Sequence, residues 1–177
     1  QNFPDMLSGG PGYWFDGVND YVTTTLIPDT NGTFEIFFSP TTFLNKRLMG
    51  SYDASINKAF MSINGTGKLS GGIGSQTLTT IVGTTTLISG TVYHGVLSWD
   101  ASLVDLYLNA QNEYSGAMAG SISTAVINIG CANGNGTPFD FINSDIFFAR
   151  YWNLKLTAAE VKAFSNGAAI PYKYIGA

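Results

Sequence analysis

The stretch Tyr93-His94-Gly95-Val96-Leu97-Ser98-Trp99-Asp100-Ala101-Ser102-Leu103-Val104-Asp105-Leu106-Tyr107-Leu108-Asn109 sets the fold class. Its two halves alternate in polarity, and Asp100-Ala101-Ser102 forms a turn between them. In the second half Val104, Leu106 and Leu108 fall on one face, and Asp105, Tyr107 and Asn109 on the other. That period of two is a half-buried strand, and two such runs around a turn are a hairpin.

Working outward, the same grammar repeats. Thr33-Phe34-Glu35-Ile36-Phe37-Phe38-Ser39 is apolar on both faces, which marks a central strand, and Pro40 stops it. Phe60-Met61-Ser62-Ile63 and Lys68-Leu69-Ser70-Gly71 flank Asn64-Gly65, a hairpin signal. Leu78 to Val82 and Thr85 to Ile88 read as two runs rich in β-branched residues. Val126 to Ile129 is a further strand, followed by a long Gly/Asn loop from Cys131 to Pro138. A last strand runs from about Asp145 to Trp152. Thr157 with Glu160 makes a capping box, and Leu156 staples to Val161. The spacing predicts one helix of roughly ten residues, ended by Asn166-Gly167. Pro171 opens a tail that is expected to pair as an edge strand or lead onward. Short strands at regular spacing predict an all-β, two-sheet antiparallel jelly-roll sandwich with one short C-terminal helix, as one domain over 1–177.

Composition narrows the function classes. Charged residues are 11% of the chain, against about 25% in ordinary globular proteins, so Thr, Ser, Asn and Gly carry the polarity. Aromatics at 14% argue for a packed core and against disorder. Net charge is −4 and the basic residues are scattered apart from Lys46-Arg47, so a nucleic-acid footprint is missing. No apolar run has the length of a membrane span. No secretory leader is visible; the chain reads as a mature or excised fragment, or as one exported by another route such as phage assembly and lysis. Cys131 is alone and His94 is the single histidine, so Cys131 has no partner for an internal disulfide or a zinc site and reads as a small buried hydrophobe.

Several stretches, in order, resemble a laminin-G-like domain of the concanavalin A-like lectin/glucanase superfamily. Phe15-Asp16-Gly17-Val18-Asn19-Asp20-Tyr21-Val22 is similar to that family's opening strand and turn. Phe34 to Pro40 takes the place of the second strand, and Tyr93 to Asp100 with Leu106 to Asn109 that of the central hairpin. Arg150-Tyr151-Trp152-Asn153-Leu154-Lys155-Leu156-Thr157 resembles the closing strand and helix start. The resemblance implies a jelly roll that binds glycan or protein on an extracellular or virion surface: a host cell-surface component, or sister subunits in a virion assembly. One departure concerns the closing strand, where many relatives carry an acidic pair and this chain has Phe147-Phe148.

The candidate residues follow from chemistry. Glycoside hydrolysis needs two carboxylates about 5–10 Å apart. The chain has only Glu35, Glu113 and Glu160; Glu160 serves the cap, Glu113 is expected in a turn, and Glu35 has Thr33 and Phe37 as same-face neighbours. His94 lacks a nucleophile elbow and reads as structural. An atypical glucanase is therefore the third alternative, behind a non-enzymatic binding module and a structural module of a phage capsid or tail. For glycan, aromatic faces and amide or carboxylate groups are needed, which selects Tyr52, Asp53 and Asn57 in one polar loop and Asn133, Asn135 and Asp140 in another. Calcium would want oxygen ligands, and Asp16, Asn19 and Asp20 form the candidate cluster, against a plain turn reading. Trp14, Trp99 and Trp152 are expected in the core.

Overall fold

The computed structural model describes residues 5–6, 12–52, 58–74, 79–118, 120–134 and 136–166. In chain order the first strands are β1 (Asp5–Met6), β2 (Tyr13–Asp16), β3 (Val22–Thr23), β4 (Gly32–Pro40), β5 (Lys46–Tyr52), β6 (Lys58–Ile63), β7 (Lys68–Gly74) and β8 (Thr79–Thr86). There follow β9 (Tyr93–Trp99), β10 (Leu103–Leu108), β11 (Gln111–Ala117), β12 (Asn128–Ile129), β13 (Ala132–Gly134), β14 (Thr137–Phe139), β15 (Asn143–Trp152) and the helix α1 (Ala158–Ser165). They build a seven-stranded sheet in the order β1-β2-β15-β4-β9-β10-β11 and a six-stranded sheet in the order β3-β12-β5-β6-β7-β8. β13 and β14 pair separately. All pairings are antiparallel.

Alternation explains the core. Phe34, Ile36 and Phe38 of β4, Leu97 and Trp99 of β9, and Val104, Leu106 and Leu108 of β10 point inward from the larger sheet. Met49, Met61, Ile63, Leu69, Ile73 and Ile81 meet them from the smaller one. Such a two-layer interior buries the alternate residue of every strand and leaves the other face of each sheet for packing or for solvent. β4 is central, flanked by β15 and β9, as its two apolar faces require.

The second face of β4 is covered by the chain end. Val96, Tyr107, Leu156 and Val161 form a small outer cluster; Trp152 and Phe164 pack against it, their rings stacked on each other 5.5 Å apart. The Thr157–Glu160 capping box is present and starts α1, which runs eight residues. Lys155, just before the cap, bonds Asp105 at 3.0 Å and Asp100 at 3.3 Å, which ties the helix entry to the β9–β10 hairpin. The tail from Gly167 onward lies outside the described residues.

Five sequence expectations are corrected. The stretch Thr79–Thr86 is one strand, because Gly83 continues it: a Cβ there would come within 3.2 Å of Glu113 Oε2 and of the Leu69 carbonyl. Glu113 is in strand β11 and not in a turn. β11 is polar and edge-lying, and Asn109 and Ala110 turn into it with φ of 49° and 65°, a geometry normally advertised by Asn-Gly. The Cys131–Pro138 segment is a hairpin in which Ala132 faces Phe139. Tyr52 ends a strand, β5, whose alternation is masked by a bulge between Arg47 and Met49. Finally, Trp99 is fully buried, but Trp14 is 39% exposed and Trp152 belongs to the outer cluster.

Candidate functional site

The outer face of the six-stranded sheet carries an open cleft of about 370 Å³. The pairing register builds its floor. Arg47 on β5 stands opposite Ser62 on β6, Ser62 opposite Ser70 on β7, and Ser70 opposite Val82 on β8. The two serine hydroxyls bond each other at 2.9 Å. Phe60 lies two residues from Ser62, hence on the same face. The walls come from turns: Asn45, Asn64 and Asp140 line the cleft, and Asn45 and Asp140 hold φ of 47° and 55°. Asn and Asp tolerate this left-handed backbone better than most residues. Asn45 Oδ1 accepts the Gly65 N–H at 2.7 Å, and Asn64 Oδ1 accepts the Thr66 and Lys68 N–H groups at 3.0 and 2.9 Å. Both amides are thereby fixed in orientation.

Arg47 is the polar centre. Its guanidinium lies over the Phe60 ring, 3.8 Å from the centroid, and its main-chain N–H donates to the Asp140 carbonyl at 3.1 Å. Burial lowers the guanidinium pKa, and the nearby charges of Asp140 and Tyr52 push it back. Its Nε is buried without a hydrogen-bond partner. Leaving a buried donor unpaired costs about 1–3 kcal/mol, so this atom is a standing invitation to an acceptor.

The sequence-predicted residues divide. Asp140 lines the cleft. Tyr52 is nearby on β5, its ring edge-on to Phe139 at 5.7 Å and capped by Lys58 Nζ at 4.8 Å. Asn133 on β13 is half-buried, and its Oδ1 also lacks a partner. Asp53, Asn57 and Asn135 lie outside the described residues. Arg47, Phe60, Asn45 and Asn64 were not anticipated as a site. The faint signals were the adjacent basic pair Lys46-Arg47 and an aromatic at the outward position of an alternating strand.

The candidate calcium turn, Asp16–Asp20, is held by its own hydrogen bonds. Asp16 Oδ1 accepts the Val18 and Asn19 N–H groups at 2.7 and 3.2 Å, and Asp20 Oδ2 accepts the Asp16 N–H at 3.1 Å. Those bonds, with Gly17 at φ 79°, close a tight loop. Among the described residues no three His, Cys, Asp or Glu side chains converge.

Each glutamate is also committed. Glu35 is fully buried, accepting from His94 Nε2 at 3.0 Å, Arg150 Nη2 at 3.1 Å and Trp152 Nε1 at 3.0 Å. Glu113 Oε2 accepts the Thr85 N–H at 2.8 Å, and Oε1 the Thr85 hydroxyl at 2.7 Å, which bridges β11 to β8. Glu160 caps the helix.

A two-sheet antiparallel sandwich with a polar, aromatic-floored cleft on one outer face is a lectin-like architecture. Residues 16–162 match the laminin G family model described as the concanavalin A-like lectin/glucanases superfamily, and the chain belongs to that family. Among solved structures it is similar to the native heptameric SAP-like pentraxin of Limulus polyphemus (16% identity, 89% of this chain and 82% of that one, TM-score 0.71). It is similar also to the CBM40 of the Ruminococcus gnavus IT-sialidase (15% identity, 76% and 82%, TM-score 0.64). The Streptococcus pneumoniae NanB sialidase matches over 87% of this chain but only 27% of its own length (15% identity, TM-score 0.72). At these identities the likeness shows the fold. No curated protein matches the chain significantly.

Proposed function

We propose that this chain is a non-enzymatic carbohydrate-binding module, and that the outer-face cleft is its binding site. The carrying observation is the cleft itself: an aromatic floor at Phe60, a stacked guanidinium with an unpaired donor, two fixed Asn amides and the Asp140 carboxylate within one 370 Å³ opening. Sugar rings are recognised by an apolar face and a few fixed polar groups, and the cleft offers both. The lectin-like family and the CBM40 and pentraxin neighbours support the reading. The setting we propose is an extracellular or virion surface, with a host cell-surface glycan as partner. Engagement of all three glutamates in structural hydrogen bonds supports a role without catalysis.

The test is a glycan array with the purified chain, repeated with Phe60→Ala and Tyr52→Ala. Saturable binding that Phe60→Ala abolishes and Tyr52→Ala weakens is expected. Binding indifferent to Phe60, or none to any glycan, would overturn the proposal.

A second reading has its own observation. Leu26, Ile27, Leu103 and Leu154 are each about half exposed, and Ile27, Met118 and Ile122 line a depression of about 390 Å³ away from the cleft. Exposed apolar surface marks protein contacts. This favours a module that also packs on sister subunits of a capsid or tail. Light scattering that finds a trimer broken by Ile27→Asp would support it; a strict monomer would count against it.

A further inference from the structure

We infer that the glycan held in this cleft carries a carboxylate, gripped side-on by the Nε edge of Arg47. The inference rests on the cleft being the glycan site. Three independent observations lead to it.

The first is charge distribution. The chain as a whole is at −4. Yet the strands of the six-stranded sheet hold Lys46, Arg47, Lys58 and Lys68 and not one Asp or Glu. Half of the chain's eight basic residues therefore sit on three neighbouring strands, β5, β6 and β7. A local excess of positive charge on a protein of opposite net charge draws ligands of the other sign.

The second is the state of Arg47. Its flat face is occupied by Phe60, so recognition must use the guanidinium's edges. Among the described residues Arg47 makes no ion pair within 4.0 Å, and its Nε donor is buried and unsatisfied. The Nε–Nη edge of a guanidinium presents two parallel N–H groups, which match the two oxygens of a carboxylate.

The third is Asp140. Beside Arg47, in left-handed backbone, it places one anion at the cleft wall. An ionised carboxylate only accepts hydrogen bonds. It would take a hydroxyl proton and repel a second negative group. The arrangement therefore suits a sugar with one acidic group and free hydroxyls, better than a polysulfated chain with charge on every side.

The experiment is calorimetric titration of the purified chain with lactose, sialyllactose, lactose 3-sulfate, and oligogalacturonic acid before and after methyl esterification. Carboxylated probes are expected to bind roughly ten-fold or more tightly than their neutral or esterified counterparts, the difference shrinking at high salt. Arg47→Gln should abolish the preference, so that carboxylated and neutral probes bind that variant alike. Arg47→Lys keeps the charge but loses the fork, and should recover only a fraction of the preference. Retained melting temperatures would show that both variants fold. Equal binding of acidic and neutral probes, still sensitive to Phe60→Ala, would overturn the carboxylate while leaving the glycan site standing. A preference for lactose 3-sulfate over sialyllactose would overturn it too. No binding of any probe would overturn both.

Discussion

Glu35 is the buried charged hub of the seven-stranded sheet. Burial alone raises the pKa of its carboxyl, but hydrogen bonds from His94 and Trp152 and the charge of Arg150 outweigh it and hold the pKa below the ordinary value. A depressed folded-state pKa means that the ionised carboxylate stabilises the fold. That contribution is complete above the unfolded-state pKa and is lost as pH falls through the folded one. Glu35→Gln should therefore destabilise by about 1–3 kcal/mol at neutral pH, since it leaves fewer acceptors for the donors of His94, Trp152 and half-buried Arg150. It should also flatten the acid limb of stability against pH, and urea titrations at several pH values would check both. An unchanged midpoint would contradict the network's structural role. Cys131 gives a second check: burial pushes its thiol up to about 12. It should ignore a thiol reagent at neutral pH until the protein unfolds. The buried cysteine was legible from the sequence. The Glu35 network was not, because its partners lie 59, 115 and 117 positions away and only the sheet register unites them.

At the scale of elements, what was legible followed local chemistry. The β9–β10 hairpin, the β6–β7 hairpin, central β4, and α1 with its capping box all declare themselves through alternation, Asn-Gly or caps. What was hidden lacked such signals. β5 carries a bulge, β11 is polar at a sheet edge, and the β13–β14 hairpin contains Pro138 and too few apolar residues to show a period. The candidate cleft was hidden with them, since Arg47 lies beside the bulge and Asp140 follows the unexpected hairpin; only Asp140 was picked out beforehand. The β8–β11 junction yields its own prediction. Glu113 closes the space between the two sheets at that edge, bonding both the main chain and the hydroxyl of Thr85. Glu113→Ala should lower the denaturation midpoint and raise amide exchange in Thr79–Thr86 before the rest of the sheet. Uniform exchange across both sheets would show that the clasp is incidental.

For the whole molecule, the two sheets do different work. The larger one gives its outer face to α1 and to the Glu35 network, so that face is spoken for over β4, β9, β10 and the end of β15. The smaller one keeps an open cleft on its outer face, floored by Phe60, and the pairing of β5 through β8 fixes the spacing of the groups upon it. The proposed binding face thus lies across the core from the Glu35 network, and a substitution in the cleft should leave folding largely intact. The most direct measurement is an amide-resolved NMR titration with a glycan selected on the array. The account predicts shifts concentrated at Asn45, Arg47, Phe60, Ser62, Asn64, Ser70 and Asp140. Shifts centred on the Asp16–Asp20 turn, or on the opposite sheet around Phe37 and Phe148, would contradict it.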